Sequence, residues 1–185
     1  MPPTSSIAAT FPASCPDSDH GSLSNSAAIF VNANANAITI RAAHPDDAPV
    51  LSPLLAQLGY PATPEQIAPR LSALEDFPRA LALVAVAGEG VVGLITAHLI
   101  PTIHGAQPLA LLTTLVVAES HRGRGIGSRL VHRVERWAAE SGAVRVSVTS
   151  GLQREDTHRF YEHRNYSRTG LRFTKAVDKR RRSIG

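Results

Sequence analysis

Cysteine is nearly absent from this sequence. Cys15 is the only one in 185 residues, which excludes a disulfide within the chain and any metal cluster built on cysteines. The histidines and acidic residues show no spacing typical of a metal-ligand set either, so we expect no metal. A single thiol is typical of proteins from a reducing compartment, and we therefore expect a cytoplasmic protein.

Long apolar runs are also missing. The longest strictly apolar stretch extends from Ala80 to Ala87, far short of the ~20 residues that a membrane-spanning helix needs. The N-terminus lacks the positive charge and the long apolar core of a secretory signal. Hydrophobic residues make up 43% and charged residues 18% of the chain, the composition of an ordinary globular domain. We therefore predict no membrane partner.

The two ends of the chain differ in composition from the middle. Residues 1–36 are rich in Ser, Ala, Asn and Pro, with little apolar periodicity, and predict a disordered leader. Residues 178–185 contain the basic run Lys179–Arg182, which contributes much of the net charge of +4. No aromatic residue interleaves this run for base stacking, which favours a solvated basic tail over a nucleic-acid partner. One folded domain is expected over residues 37–177.

The middle of the chain alternates between strand and helix patterns and predicts a mixed α/β fold. Apolar alternation or β-rich runs indicate strands, whereas apolar residues at helical spacing indicate helices. The helix that follows the fourth strand makes a crossover, so the fourth and fifth strands should be parallel. The predicted strands are 37–41, 80–87, 91–100, 109–117, 144–148 and 168–175, and the predicted helices lie within 44–58, 63–74, 126–141 and 154–164.

One strand–loop–helix corner has the chemistry of an anion site. The apolar strand ending at Val117 leads into Gly123, Gly125 and Gly127, and an amphipathic helix follows directly. Backbone N–H groups at a helix start have no intrahelical partner and lie at the positive end of the helix dipole, so phosphates bind there readily. Glycine allows close approach to the main chain, and Arg122 and Arg124 add forked donors. No Gly-Lys-Ser/Thr follows, which excludes a nucleotide P-loop.

Two motifs in this order resemble the GCN5-related N-acetyltransferases, the GNAT superfamily. The first is the family's pyrophosphate signature, here Arg122, Gly125 and Gly127. The second is the run from Phe160 to Tyr166 with the sequence Phe-Tyr-Glu-His-Arg-Asn-Tyr, which has Asn165 where the family has glycine. The resemblance covers roughly residues 37–177. It implies a central, mostly antiparallel mixed sheet, flanked by helices, in which the parallel strands four and five splay apart around acetyl-CoA.

The resemblance also implies which residues hold the cofactor. The pantetheine arm would pair with the main chain of the fourth strand at Leu115 and Val117, and the pyrophosphate would take the N–H groups from Arg122 to Ser128. Arg154 stands where relatives often have an asparagine and could reach the cofactor. The cofactor-binding residues implied are Leu115, Val116, Val117, Arg122, Gly123, Arg124, Gly125, Ile126, Gly127, Ser128 and Arg154.

The catalytic groups are assigned less completely. By the resemblance, Tyr161 is the general acid for the leaving thiolate; the alternative is a core tyrosine with a satisfied hydroxyl. Relatives often carry a carboxylate on the fourth strand, but this strand has none. His98 and His104 could act as a base directly or through water, although each could equally be structural. Tyr60 could touch substrate or only pack at the rim.

The acceptor is the weakest part of the sequence prediction. Residues 92–99 and 172–176 are similar to bacterial small-amine acetyltransferases, which favours a small primary amine, with aminoglycosides included. Two alternatives stay open: a protein lysine or N-terminus as the acceptor, and a cofactor-binding domain without catalysis. A homodimer is left open.

Overall fold

The computed structural model describes residues 37–88, 90–103 and 105–177. They form a five-stranded sheet in the order β1-β2-β3-β4-β5. The first four strands are antiparallel to their neighbours, and β5 is parallel to β4. This confirms the predicted mixed sheet. The strands are β1 (Ile38–Ala42), β2 (Ala80–Ala87), β3 (Gly90–Ile100), β4 (Leu109–Val117) and β5 (Val146–Val148). The predicted leader and basic tail lie outside the described residues.

Four helices cover the two faces of the sheet: α1 (Ala48–Leu58), α2 (Pro64–Glu75), α3 (Ile126–Glu140) and α4 (Glu155–Glu162). Helices α1 and α2 pack through residues such as Leu51 and Ile67 against one face. Helix α3 packs through Leu130 and Val134 against the other face, together with Tyr161 of α4. Because helices lie on both faces, every residue of β2 and every residue of β3 except its two ends is buried or half-buried, which explains the almost continuous apolar run of both strands.

The start of α2 follows the local sequence signal. Pro64 occupies the first turn, where its missing N–H costs nothing. The side chain of Gln66 accepts a hydrogen bond from the Thr63 N–H at 3.1 Å, which is half of a capping box. The loop between α1 and α2 is thereby fixed at both ends, because Gly59 ends α1 in a left-handed conformation at φ 95°.

Strands β4 and β5 separate along their length, as predicted. Pairing covers only Ala110–Leu112 of β4 with Val146–Val148 of β5. Immediately beyond, the β3–β4 register shifts, and Thr113 is the extra residue. Its hydroxyl lies 2.8 Å from that of Thr96. A bulge bends and twists a strand, so this one marks the point where β4 leaves β5.

The sequence prediction was wrong at the C-terminal end. Residues 168–175, predicted as a strand, are not one, and Leu171 and Phe173 are exposed. Their apolar alternation has strand periodicity, but no ladder partner pairs with them among the described residues. The fifth strand is also shorter than predicted, because pairing with β4 ends at Val148 and begins only at Val146.

No helix among the described residues has the length and apolar character to cross a membrane.

Candidate active site

The open side of β4 faces a cleft of about 950 Å³. Its floor is the second half of β4, its mouth is the glycine corner with the first turn of α3, and its far wall is α4. The end of α1 closes the remaining side. The lining residues are Gln57, Leu58, Leu115, Val116, Val117, His121, Arg122, Gly123, Gly125, Ile126, Gly127, Ser128, Gln153, Arg154, Glu155, Asp156, Thr157, Arg159, Phe160 and Tyr161.

The glycine corner presents a row of unpaired amides. Helix α3 makes its first backbone hydrogen bond from Arg129 N–H to Gly125 C=O at 3.1 Å. Within the described part of the chain, the amides from Gly123 to Ser128 donate to no backbone carbonyl. The amide of Arg122 is already used, because it donates to Glu119 C=O at 3.2 Å. The site therefore offers six consecutive donors at the positive end of a helix, one fewer than the sequence predicted.

Two of the three glycines need their backbone freedom. Gly123 has φ 76° and Gly125, the N-cap of α3, has φ 74°. This left-handed region is costly for residues with a Cβ atom. Gly127 has no positive φ, but a Cβ there would lie 3.6 Å from the Phe160 ring and 3.8 Å from Val117. At this point α3, β4 and α4 approach one another closely.

The open edge of β4 has its polar groups on the cleft side. Arg122 Nε donates to Val117 C=O at 3.2 Å, so this carbonyl points away from β3. Carbonyls alternate in direction along a strand, which places that of Leu115 on the same side. The guanidinium of Arg122 also lies 3.5 Å from Glu119. Arg122 therefore ties the loop to the strand end, and the backbone amides are left to face the cleft.

Tyr161 is one of the residues that line the cleft. It is 6% exposed and contacts the Phe160 ring edge-on at 5.1 Å between centroids and the Tyr166 ring at 5.3 Å. Burial raises the pKa of Tyr161 well above its usual value, and the charge of Arg164 lowers that pKa in part. The side chain is therefore a neutral phenol at physiological pH, able to donate a hydrogen bond into the cleft.

Arg154 reaches across the cleft. It is the residue before α4, and its Nη2 donates to Leu58 C=O at the end of α1, 2.8 Å away. The α1–α2 loop is thereby attached to the wall that carries Tyr161. No pattern in the sequence indicated this contact, since the two residues are 96 positions apart.

Most of the predicted cofactor residues line one cleft, but three of the predicted site residues that the structure describes do not. Arg124 is exposed and outside the lining. Tyr60 is 67% exposed beside Gly59 and is also outside it. His98 packs against the Phe77 ring at 6.4 Å, in the half of the sheet where β4 and β5 remain paired. His104 lies outside the described residues.

Several lining residues were not predicted from the sequence. Gln57 accepts a hydrogen bond from the Glu119 N–H at 3.3 Å. Arg159, on the outward side of α4, pairs with Asp156 and Glu155. Both acidic residues lie in the first turn of α4, where carboxylates are stabilised by the helix dipole. No group of three potential metal ligands occurs among residues 37–88, 90–103 and 105–177.

Comparison with known proteins agrees with this geometry. The model of the acetyltransferase (GNAT) family matches residues 54–166. The chain therefore belongs to the GNAT acetyltransferase family. It is similar to the aminoalkylphosphonate N-acetyltransferase of Salmonella typhimurium, with 37% identity over 47% of this chain and 56% of that protein. An uncharacterized N-acetyltransferase of Bacillus subtilis is 40% identical over 32% of this chain and 42% of that protein. The chain thus spans about half the length of the curated relatives it matches.

Among solved structures, a transcriptional regulator from Bacillus halodurans superposes with a TM-score of 0.67 and 26% identity. The alignment covers 75% of this chain and all of that one.

Proposed function

We propose that this protein transfers the acetyl group of acetyl-CoA to the primary amine of a small molecule. One observation carries the proposal: a single cleft is lined by free backbone amides at a helix start, an open strand edge and a buried phenol. Acetyl-CoA has a pyrophosphate, an amide-bearing pantetheine arm and a reactive thioester in the same order. The membership of the chain in an acetyltransferase family supports the same donor.

The donor would bind mainly through the backbone. The amides from Gly123 to Ser128 would hold the pyrophosphate. The main-chain groups of Leu115 and Val117 on the open edge of β4, apart from the Val117 C=O that Arg122 occupies, would pair with the pantetheine amides. Val116 and Ile126 belong to the same walls, and Arg154 is close enough to the cleft to contact the cofactor. Backbone donors suit a pyrophosphate because they are fixed before it binds and lose no side-chain entropy.

The chemistry requires two proton movements. The amine nitrogen forms a bond to the acetyl carbon and loses a proton, while the carbon–sulfur bond breaks and the thiolate gains a proton. Tyr161 would supply the second proton, because its phenol is neutral and lines the cleft. The base for the amine stays a prediction: His98 lies away from the cleft, so that any role for it would have to run through water.

The acceptor is proposed as a small amine. The similarity to an aminoalkylphosphonate N-acetyltransferase supports a compact primary amine. Tyr60, exposed on the loop that Arg154 attaches to α4, is the residue we expect nearest to an entering acceptor. Association of two copies also stays a prediction, and a concentration series in sedimentation equilibrium measures it.

The test of the function is release of free CoA thiol from acetyl-CoA with a panel of acceptors. Aminoalkylphosphonates, simple diamines, aminoglycosides and lysine-bearing or free N-terminal peptides form the panel. Turnover with a small amine is expected. Turnover restricted to peptides would reassign the acceptor to proteins, and tight acetyl-CoA binding with no turnover would identify a cofactor-binding domain.

Tyr161→Phe tests the acid. General acid catalysis contributes roughly a hundredfold or more to rate, so kcat should fall by about that factor while the affinity for acetyl-CoA changes little. Isothermal titration measures the affinity independently of turnover. An unaltered kcat would remove Tyr161 from the mechanism.

A further inference from the structure

A cluster of polar side chains lies next to Tyr161 but is not part of the cleft lining, so it is not needed to bind the donor. Glu135 of α3 is half-buried, and each of its carboxylate oxygens accepts one hydrogen bond. Oε2 accepts from Arg164 Nη2 at 2.9 Å, and Oε1 accepts from the Tyr166 hydroxyl at 3.1 Å. One carboxylate thus fixes two side chains that follow α4.

The turn after α4 places both of these side chains. The amides of Arg164 and Tyr166 both donate to Tyr161 C=O at 3.0 Å. Asn165, between them, adopts the left-handed conformation at φ 64°, which asparagine tolerates better than most residues. The backbone therefore folds back on the same residue that carries the phenol.

The cluster touches Tyr161 in two ways. The Tyr166 ring packs on the Tyr161 ring at 5.3 Å between centroids, and Phe160, which also lies against Gly127, contacts the Tyr161 ring edge-on. The Arg164 side chain is 20% exposed, and its Nε has no hydrogen-bond partner within the part of the chain that the structure describes. Its charge lowers the pKa of Tyr161 in part. Without Glu135 a buried cation would stand uncompensated, which is costly.

We propose that Glu135 is a positioning residue that holds Arg164 and Tyr166 next to Tyr161. The orientation of the phenol and the electrostatic environment of its hydroxyl then depend on this cluster. The inference rests on the proposed role of Tyr161 in the transfer reaction. Because Glu135 contacts neither the amide row nor the open strand edge, it acts on the acid and not on donor binding. Its removal should therefore lower kcat and leave the KM for acetyl-CoA unchanged.

The test compares four variants with a matched control. Glu135→Gln and Arg164→Gln remove one charge each, Arg164→Lys restores the charge without the fork, and Tyr166→Phe deletes only the hydroxyl. Glu140→Gln is the control, because Glu140 is a carboxylate on the same helix paired with an arginine, Arg136, on the surface. We expect kcat to fall roughly tenfold in the two Gln variants, the change that about 1.4 kcal/mol of lost transition-state stabilisation produces. Arg164→Lys should retain part of the kcat that Arg164→Gln loses.

A second readout does not depend on turnover. The chain has three tyrosines, so labelled tyrosine gives a small set of ring NMR signals that can be assigned with Phe substitutions. Glu135→Gln and Tyr166→Phe should shift the Tyr161 ring signals in the protein without ligand, whereas Glu140→Gln should not. The inference would be overturned if Glu135→Gln and Tyr166→Phe had the same Tyr161 ring signals and the same kcat as the control Glu140→Gln. A Tyr161→Phe variant with an unaltered rate would instead overturn the acid role. The ring signals would still test whether Glu135 positions the phenol.

Discussion

At the scale of single residues, the proposed donor site depends more on missing Cβ atoms than on side-chain chemistry. The two glycines with positive φ let the chain turn from β4 into α3 with its amides facing the cleft. Arg122, the side chain of the motif, is occupied with Val117 and Glu119. The expected role of the motif arginine is therefore to shape the loop as well as to attract an anion.

Gly125→Val should weaken acetyl-CoA binding. A side chain at φ 74° costs about 1 to 3 kcal/mol of backbone strain, and relief of that strain would rotate the amides out of the row. The affinity, measured by isothermal titration, should fall by at least about tenfold, which corresponds to roughly 1.4 kcal/mol.

Gly142→Val is the control for this prediction. Gly142 follows α3 at φ 75° with open space around its missing Cβ, as at Gly125, but it is not part of the cleft. Both variants should lose similar stability in urea, and only Gly125→Val should lose affinity. Equal affinities in the two variants would show that the glycine corner does not hold the donor.

The residues that could be predicted from sequence are those whose role is local. The glycine spacing, the cap at Thr63 and the left-handed position of Asn165 all depend on neighbours within a few residues. Glu135 and the Arg154–Leu58 contact depend on partners from distant segments, and no periodicity reports such pairs. His98 illustrates the same limit, because its place on β3 was predicted and its packing against Phe77 was not.

At the scale of elements, strand and helix order was largely readable because apolar periodicity follows burial. The exception is the segment 168–177, whose alternation is that of a strand but which has no ladder partner among the described residues. Pairing supplies the hydrogen bonds of a strand, and periodicity alone cannot report it. The splay of β4 from β5 needed the family resemblance, since the bulge at Thr113 has no sequence signature here.

An ion pair connects β1 to the short turn before α1. Asp47 lies in the short turn before α1, and both of its carboxylate oxygens accept from Arg41 of β1 at 2.7 Å. The His44 N–H donates to the same carboxylate at 2.8 Å. Asp47→Asn would leave this network partly unpaired. Because Arg41 is half exposed, solvent screens the pair, and we expect a loss of about 1 to 2 kcal/mol in urea unfolding at pH 7.

The same pair predicts a pH dependence. The hydrogen bond from Arg41, followed by that from His44, holds the pKa of Asp47 below its usual value. A lowered folded-state pKa gives stability that is present above the unfolded value of about 3.9 and is lost as the pH falls through the folded value. The difference in unfolding free energy between wild type and Asp47→Asn should therefore shrink below about pH 4. Asp46→Asn, at an exposed carboxylate in the same turn, should leave the acid limb unchanged.

At the scale of the whole molecule, two tyrosines lie where α3 meets the end of α4. Tyr161 and Tyr166 pack on each other, and burial is the main cause that raises the pKa of each phenol. For Tyr166 the neighbouring Glu135 raises the pKa further. Two of the three tyrosines therefore resist ionisation in the folded protein and ionise freely in the unfolded chain.

This arrangement predicts a loss of stability in alkali. A raised folded-state pKa gives stability that is complete below the unfolded value of about 10 and is lost as the pH rises above it. Each phenol should lower the unfolding free energy by up to about 1.4 kcal/mol per pH unit in that range. Urea midpoints between pH 9 and pH 11 measure the slope, and tyrosine absorbance during unfolding reports the ionisation. Tyr166→Phe should reduce the slope by about half, since it removes one of the two groups. A slope equal to that of wild type would mean that Tyr166 ionises alike in the folded and unfolded chain, and that the contact between α3 and α4 does not exclude water from it.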